Sequence, residues 1–328
     1  MVTRRLILAA LAAAPFGRAL AQSAWPSRPV VFTVPFPTGG SADLLARLVA
    51  ERMPPLLSPG ARMIVENRAG AGGAIGSEYV RRQPADGHAL LLATPSTHGT
   101  LPALQPETTP YDVIADFTPV AILGRAPIVL AVPNGSPHRE FAELLAAIRA
   151  APGRLSWGSS GQGSVGHLAG ELMNLRAGGL QAEHIPYRGG APLAEALTKS
   201  EVVYAWEPLG SFAPGIRDGL FRCLAVGTPT RHPLLPDVPT GAEAGLPGFE
   251  ATTWNVMLAP RGLPPEIAAR LNAAANAVLA MPELRDRLAI AGIDTVSDSS
   301  PEGTGAFVQA ELAKFRDIVA RARLAPTR

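Results

Sequence analysis

The nine residues Pro35–Asp43, PFPTGGSAD, limit the folds open to this chain, because they join a strand end, a glycine turn and a helix start with no spacer. Ahead of them Val30–Val34 is apolar and mostly β-branched, and behind them Ser41–Met53 carries Leu44, Leu45, Leu48 and Val49 at helical spacing. Gly39 and Gly40 permit the positive φ that such a turn uses. A strand feeding directly into an amphipathic helix is half of a parallel β–α–β unit, so layered α/β structure is expected. The turn also leaves first-turn N–H groups free, and with the helix dipole these favour a carboxylate or phosphate. On this segment alone, an ordinary connection whose amides see only water fits equally well.

The same alternation continues along the chain. Strands are predicted at Val30–Val34, Met63–Glu66, Leu90–Thr94, Leu155–Gly158, Ala182–Pro186, Val202–Trp206, Arg222–Gly227 and Thr253–Ala259. Helices are predicted at Ser41–Met53, Ala74–Gln83, Arg139–Ala150, Ser164–Leu175, Ala191–Thr198, Pro265–Ala280, Glu283–Ala291 and Pro301–Arg323. Leu101–Asp116, rich in Pro and Thr and without periodicity, reads as a surface loop. At 328 residues, 47% of them hydrophobic, the chain can fill two cores. Val120–Val132 is almost continuously apolar with a break at Gly124-Arg125, and Thr228–Pro239 holds four prolines and no helical pattern. Taken as two crossings, they divide the chain into a first domain of residues 22–124 plus 228–328 and a second of 125–227, with a cleft between. Hinges at the crossings would let the cleft close.

Residues 1–21 read as an export signal: Arg4-Arg5, the apolar run Leu6–Ala14, then Ala19-Leu20-Ala21 before Gln22. Three of the 29 basic residues and none of the 27 acidic ones lie in that segment, so its removal takes the formal charge from +2 to −1. With no basic run interleaved with aromatics, nucleic acid is not an expected partner. Cys223 is the only cysteine, which excludes an internal disulfide, and its apolar neighbours suit a buried core residue.

Gly161-Gln162-Gly163-Ser164-Val165-Gly166 matches the dinucleotide-binding fingerprint, with Glu183 seventeen residues on, so an NAD-dependent enzyme is one alternative. A loop longer than the fingerprint's tight turn favours a second anion site at a helix start, with the hydroxyls of Ser159, Ser160 and Ser164 beside free amides. No G-x-S-x-G elbow surrounds these serines, and the six histidines lack metal-ligand spacing, so neither covalent catalysis nor a metal is expected. His98 suits either a ligand donor or loop packing, and Trp206 either a pocket wall or core.

Several ordered motifs resemble one family, the Bug-type extracytoplasmic receptors of tripartite tricarboxylate transporters. They are Trp25-Pro26-Ser27-Arg28-Pro29, Pro35–Asp43, Val65–Gly73, Pro84-Ala85-Asp86-Gly87, His167–Leu172, Pro186-Tyr187-Arg188-Gly189, Leu235–Thr240 and Glu243–Gly248. The resemblance implies a type II periplasmic-binding-protein fold, two α/β domains closing on a small carboxylate in the periplasm, with no cofactor. It implies a monomer serving integral-membrane transporter subunits, one large and one small; an exported sensor feeding a signalling partner is the alternative. Carried onto matching positions, it nominates Phe36, Pro37, Thr38, Gly39, Gly40, Ser41, Thr94, Ser96 and Thr97 from the first domain. From the second it nominates Ser159, Ser160, Gly161, Gly163, Ser164, Tyr187 and Arg188. Glu207 departs from the family pattern: it would repel a second ligand carboxylate or attract an amine if it faced the cleft, or else point to solvent or pair with Arg188.

Overall fold

The computed structural model describes residues 25–324, so the expected export signal lies outside the described residues. The chain runs β1 (Val30–Val34), α1 (Ser41–Arg52), α2 (Pro54–Leu57), β2 (Met63–Asn67), α3 (Ala74–Arg81), β3 (Ala89–Ala93) and α4 (Leu101–Leu104) into the long β4 (Phe117–Pro133). It continues with α5 (Phe141–Ala150), β5 (Ser156–Ser159), α6 (Val165–Arg176), β6 (Glu183–Pro186), α7 (Gly190–Thr198), β7 (Tyr204–Pro208), α8 (Leu209–Arg217) and β8 (Phe221–Val226). The return is made by β9 (Thr252–Pro260), α9 (Pro265–Leu279), α10 (Pro282–Ile290), β10 (Asp294–Thr295) and α11 (Pro301–Ala322).

The sheet order is β2-β1-β3-β9-β4-β7-β5-β6, with β8 and β10 also on β4. β1 pairs in parallel with β2 and β3, and β5 in parallel with β6 and β7, while β4 and β9 run antiparallel to their neighbours. Helices cover both faces of each half. In one half Phe32, Leu45, Leu90 and Leu271 pack on one side of the sheet, and Leu91, Trp254 and Leu312 on the other. In the second half Trp157, Met173 and Trp206 lie on one side, Leu193, Phe212 and Phe221 on the other. The three tryptophans Trp157, Trp206 and Trp254 are fully buried, which settles Trp206 as core; its indole reaches Met173 Sδ at 3.4 Å.

β4 is the outward crossing. Phe117–Pro127 pairs with β9, and from Ile128 onward the strand pairs with β7 and β8. The return is made after Ala251: Ala251 N donates to Gly227 O, Ile128 N donates to Ala251 O, and Thr252 begins the pairing of β9. Residues 228–251, assigned to the first domain on the sequence, therefore seat Leu246, Phe249 and Ala251 in the second half's core. α11 straddles the two halves, with Val308 and Leu312 in one core and Phe315 and Ile318 in the other.

α8 is a helix that the sequence analysis did not predict. Pro208, Gly210, Pro214 and Gly215 read as punctuation, yet Pro214 removes only the bond to the Gly210 carbonyl, and Phe212 is buried as an anchor. Within Leu101–Asp116, expected as a loop, Leu101–Leu104 is helical, continuing a wide turn over Ser96–Thr100.

His98, in that turn, is completely buried; it stacks on Tyr111 at 5.6 Å and meets Phe117 edge-on at 4.9 Å. It packs the loop and does not reach a ligand. Burial lowers its pKa to about 3 from an ordinary 6.5. The stability it contributes is therefore complete above about pH 6.5 and lost as pH falls toward about 3. In urea titrations between about pH 6 and pH 4, His98→Phe should flatten the pH slope of unfolding free energy by about 1.4 kcal/mol per unit. An unchanged slope would show that the imidazole is not buried in its neutral form.

Candidate functional site

Two cavities open along the seam between the halves. One, of about 240 Å³, is walled by Phe36, Gly40, Ser41, Thr94, Ser96, Thr253 and Asn255 from the first half and by Val165, Pro208, Gly210 and Ser211 from the second. The other, of about 380 Å³, lies between Gly72, Ser96, Thr100 and Leu104 on one side and Ser160–Ser164 on the other. Ser96 borders both. A larger space of about 510 Å³ lies apart from the seam, against Pro102, Tyr111 and Arg316. One of its acids, Asp112, is occupied in a turn, accepting from Ile114 N and Ala115 N at 2.8 and 2.7 Å.

Helix starts dominate the smaller cavity. α1 begins after Gly40 and α8 after Pro208, neither start has a side-chain cap, and their first turns face the cavity from opposite halves. Uncapped starts of two helices thus border one space, and the free N–H groups and dipole of a helix start favour a carboxylate. Asn255 on β9 adds an amide, and Ser41 and Ser211 add hydroxyls. The hydroxyl of Thr94 is buried and without a partner.

The glycine turn is held from behind. Asp43 Oδ2 accepts from Gly39 N at 2.9 Å and from Arg47 Nε at 3.0 Å, while Oδ1 accepts from Asn67 Nδ2 at 2.9 Å. Burial alone would raise the Asp43 pKa, but the bonds from Arg47, Gly39 N and Asn67 outweigh it and hold it below the usual carboxylate range. Gly39 takes φ +90°, whereas Gly40 is extended at φ −77° and needs no glycine for its backbone. A Cβ added at Gly40 would meet no atom within 4 Å.

The other loop is built on two neutral imidazoles. His184 Nε2 lies 2.7 Å from Ser159 Oγ, the His167 ring stacks on His184 at 4.1 Å, and Gly163 N donates to His167 Nδ1 at 3.0 Å. Burial lowers the His167 pKa to about 4; burial, reinforced by His167, lowers that of His184 to about 3. Gly161 N donates to Ser159 Oγ and Ser164 N to Gly161 O, so most of this loop's amides are used internally. The Ser164 side chain caps α6 through His167 N.

The nominated residues thus divide. Phe36, Gly40, Ser41, Thr94, Ser96, Ser160, Gly161, Gly163 and Ser164 line the seam. Pro37, Thr38 and Gly39 are exposed beside it. Thr97 Oγ1 is spent on Thr94 N and O, and Ser159 is turned into the second half. Tyr187 packs over the second core and Arg188 is exposed; neither borders either of the two seam cavities. Glu207 neither reaches solvent nor pairs with Arg188: it is 3% exposed beneath the floor, with Ser211 Oγ 3.3 Å from Oε1. Sequence reasoning missed Gly210, Ser211, Thr253 and Asn255. An Asn within the apolar run Thr252–Pro260 was a readable signal, since Asn is disfavoured in strands; Ser211 was hidden with its helix.

The dinucleotide reading meets a geometric obstacle. β5 pairs Ser156 with Glu183 and Ser159 with Pro186, so Glu183 stands at the opposite end of the sheet from the glycine loop, out of reach of a nucleotide seated there. Among the described residues no cluster of His, Cys, Asp and Glu is placed to hold a metal ion.

The tripartite tricarboxylate transporter family receptor model matches residues 45–324. The chain belongs to that family. This receptor is 34% identical to the protein BugT of Bordetella pertussis over 320 residues, 97% of each chain. Its fold matches R. palustris Rpa4515, solved with adipate, at a TM-score of 0.81 and 37% identity over 92% of this chain and all of that one. It also matches MatC of Rhodopseudomonas palustris, solved with bound malate, at a TM-score of 0.77 and 33% identity over 90% of this chain and all of that one. The receptor is thus a Bug-type member with the periplasmic-binding-protein fold.

The halves touch across the seam of this receptor. A Cβ on Gly210 would stand 2.7 Å from the Ala291 carbonyl oxygen, and one on Gly163 2.8 Å from Leu104 Cδ1. Gly210→Val should hold the halves apart, overpacking typically costing about 1–3 kcal/mol. Small-angle scattering should then give a larger radius of gyration than wild type; an identical radius would show that α8 does not limit closure.

Proposed function

We propose that the receptor is exported to the periplasm, captures a small carboxylate between its halves, and presents the closed form to a membrane transporter of one large and one small subunit. The observation that carries the reading is the convergence of two uncapped helix starts, α1 and α8, from opposite halves on one cavity of about 240 Å³. Each hydrogen bond to a charged oxygen contributes about 1.5–3 kcal/mol, and a helix start about 0.3–1 kcal/mol. Four such contacts account for micromolar binding, near −8 kcal/mol, after ordering costs. Since neither half supplies all the donors, the ligand favours the closed state. The bends lie at Pro127-Ile128 and Ala251-Thr252, where strand pairing passes between the halves. The relatives solved with adipate and malate support the carboxylate class. No chemistry beyond binding is assigned, and the receptor works as a monomer. The described residues contain no helix long and apolar enough to cross a membrane.

Thermal melts against a panel of aliphatic, aromatic and hydroxy acids should show stabilisation by at least one member, about 2.7 kcal/mol at a hundredfold excess over Kd. For that acid Ser211→Ala and Asn255→Ala should each weaken binding about tenfold. Gly40→Ala, which sets a methyl over the α1 amides without backbone strain, should weaken it by a similar factor, with only the small loss of stability of an N-cap exchange in the free protein. Arg188→Ala should bind as wild type. A panel with no shift, or full affinity in S211A, N255A and G40A together, would overturn the assignment.

A further inference from the structure

Glu207 ends β7 beneath the floor of the seam, and its surroundings fit a carboxyl group closely. Gly166 and Gly190, at the starts of α6 and α7, leave room for it: a Cβ on either would come within 3.2 and 3.1 Å of its oxygens. Oε1 meets Ser211 Oγ at 3.3 Å. The amide and hydroxyl of Ser160 approach closely enough to lower its pKa, but no hydrogen bond of regular geometry reaches Oε2. Ser211 borders the smaller cavity and Ser160 the larger. One buried carboxyl therefore lies under a hydroxyl of each.

The count of protons decides what those hydroxyls offer. A serine has one O–H to donate, and an ionised carboxylate can only accept. With Glu207 ionised, Ser160 and Ser211 both direct their protons down to it and show the cleft only lone pairs, which repel an incoming carboxylate. With Glu207 neutral, its own O–H donates to one serine, and that serine's proton turns to the ligand. We propose that Glu207 is a specificity-determining residue that couples capture of a carboxylate to uptake of one proton from solvent, an inference that rests on the reading of the seam as a carboxylate site.

Burial pushes the Glu207 pKa up to about 7, with Ser160 and Ser211 drawing it the other way, so both forms are populated near neutral pH. The groups facing it, Gly166 on α6, Gly190 on α7, Ser211 on α8 and Ser160 in the loop, carry no charge. Other titratable side chains on these elements are directed elsewhere. His167 takes Gly163 N, Glu171 lies 3.9 Å from His167 Nε2, Arg176 lies against Gly248, Tyr204 stacks on Trp157, Glu195 pairs with Lys199, Arg217 pairs with Asp218, and Arg188 is exposed. A bound anion selects the neutral form, so affinity should fall about tenfold per pH unit above about pH 7.

The test is calorimetric titration of the mature protein with adipate and with malate, in buffers of different ionisation heat, at about pH 6 and about pH 8. The expected result is uptake of roughly one proton at pH 8 and roughly none at pH 6. Glu207→Gln, which keeps a donor and an acceptor in place of the neutral acid, should abolish the uptake and remove the loss of affinity at pH 8. No uptake at pH 8, or the same uptake in E207Q, overturns the inference while leaving carboxylate capture intact. If E207Q does not fold, the wild-type proton count decides alone. If neither acid binds, the titration is run with the panel acid that most raises the melting temperature; if no panel acid does, it is the capture reading that fails, and infrared difference spectra of the free protein still decide on Glu207. The carbonyl stretch of a neutral carboxylic acid, present at pH 6, lost at pH 8 and missing from E207Q, supports the proton assignment; its absence at pH 6, or its persistence in E207Q, overturns it.

Discussion

β4 gives its first eleven residues to one half of the molecule and its last six to the other, pairing Phe117–Pro127 with β9 and Ile128–Pro133 with β7 and β8. Because it is hydrogen-bonded on both sides of the change of partner, the two sheets are parts of one backbone ladder. Their relative position is therefore set by how this strand and the return at Ala251-Thr252 bend. α11 reinforces the join by burying one end in each core. The seam depends on this arrangement, because it lies beside the crossing, where the strand ends and helix starts of both halves meet.

The chemistry of the seam follows from a parallel-sheet rule: the carboxyl ends of strands lead into helix starts, so each half offers amides at the same edge. What differs is how each half uses them. In the first, Asp43 ties down Gly39 from behind and leaves the start of α1 open to the cavity. In the second, Ser159, His167 and Ser164 consume the amides of the β5–α6 loop, and the open start is passed to α8. The buried histidines are neutral props for a loop, and Glu207 under the floor is a carboxyl whose pKa burial raises against the pull of Ser160 and Ser211.

Much of this was legible in the chain itself. Apolar periodicity in Ser41–Met53 and Pro301–Arg323 and β-branched runs such as Val30–Val34 report local burial, so these elements and the alternating α/β class could be read residue by residue. The order of motifs from Trp25 to Gly248 pointed to the receptor family, and PFPTGGSAD to a strand end, glycine turn and helix start. α8 could not be read that way, since Pro208, Gly210, Pro214 and Gly215 break every local pattern and only the packing of Phe212 makes the helix stable. Nor could the fates of Ser159 and Thr97, whose hydroxyls looked available until His184 and the Thr94 turn claimed them.

The sequence by itself determined the periodic elements, the glycine turn that opens α1 and the family of the chain, because each depends on neighbours within a few residues or on a string of motifs. Tertiary structure decided which helix starts share a cavity, that Ser211 and Asn255 join Ser41 there, and that Glu207 is sealed beneath them. The physical reason is that a hydrogen bond or a buried charge is settled by groups far apart in the chain. Gly166, Gly190 and Ser160 come around Glu207 only once β5 and β7 have paired and the helices have packed on them.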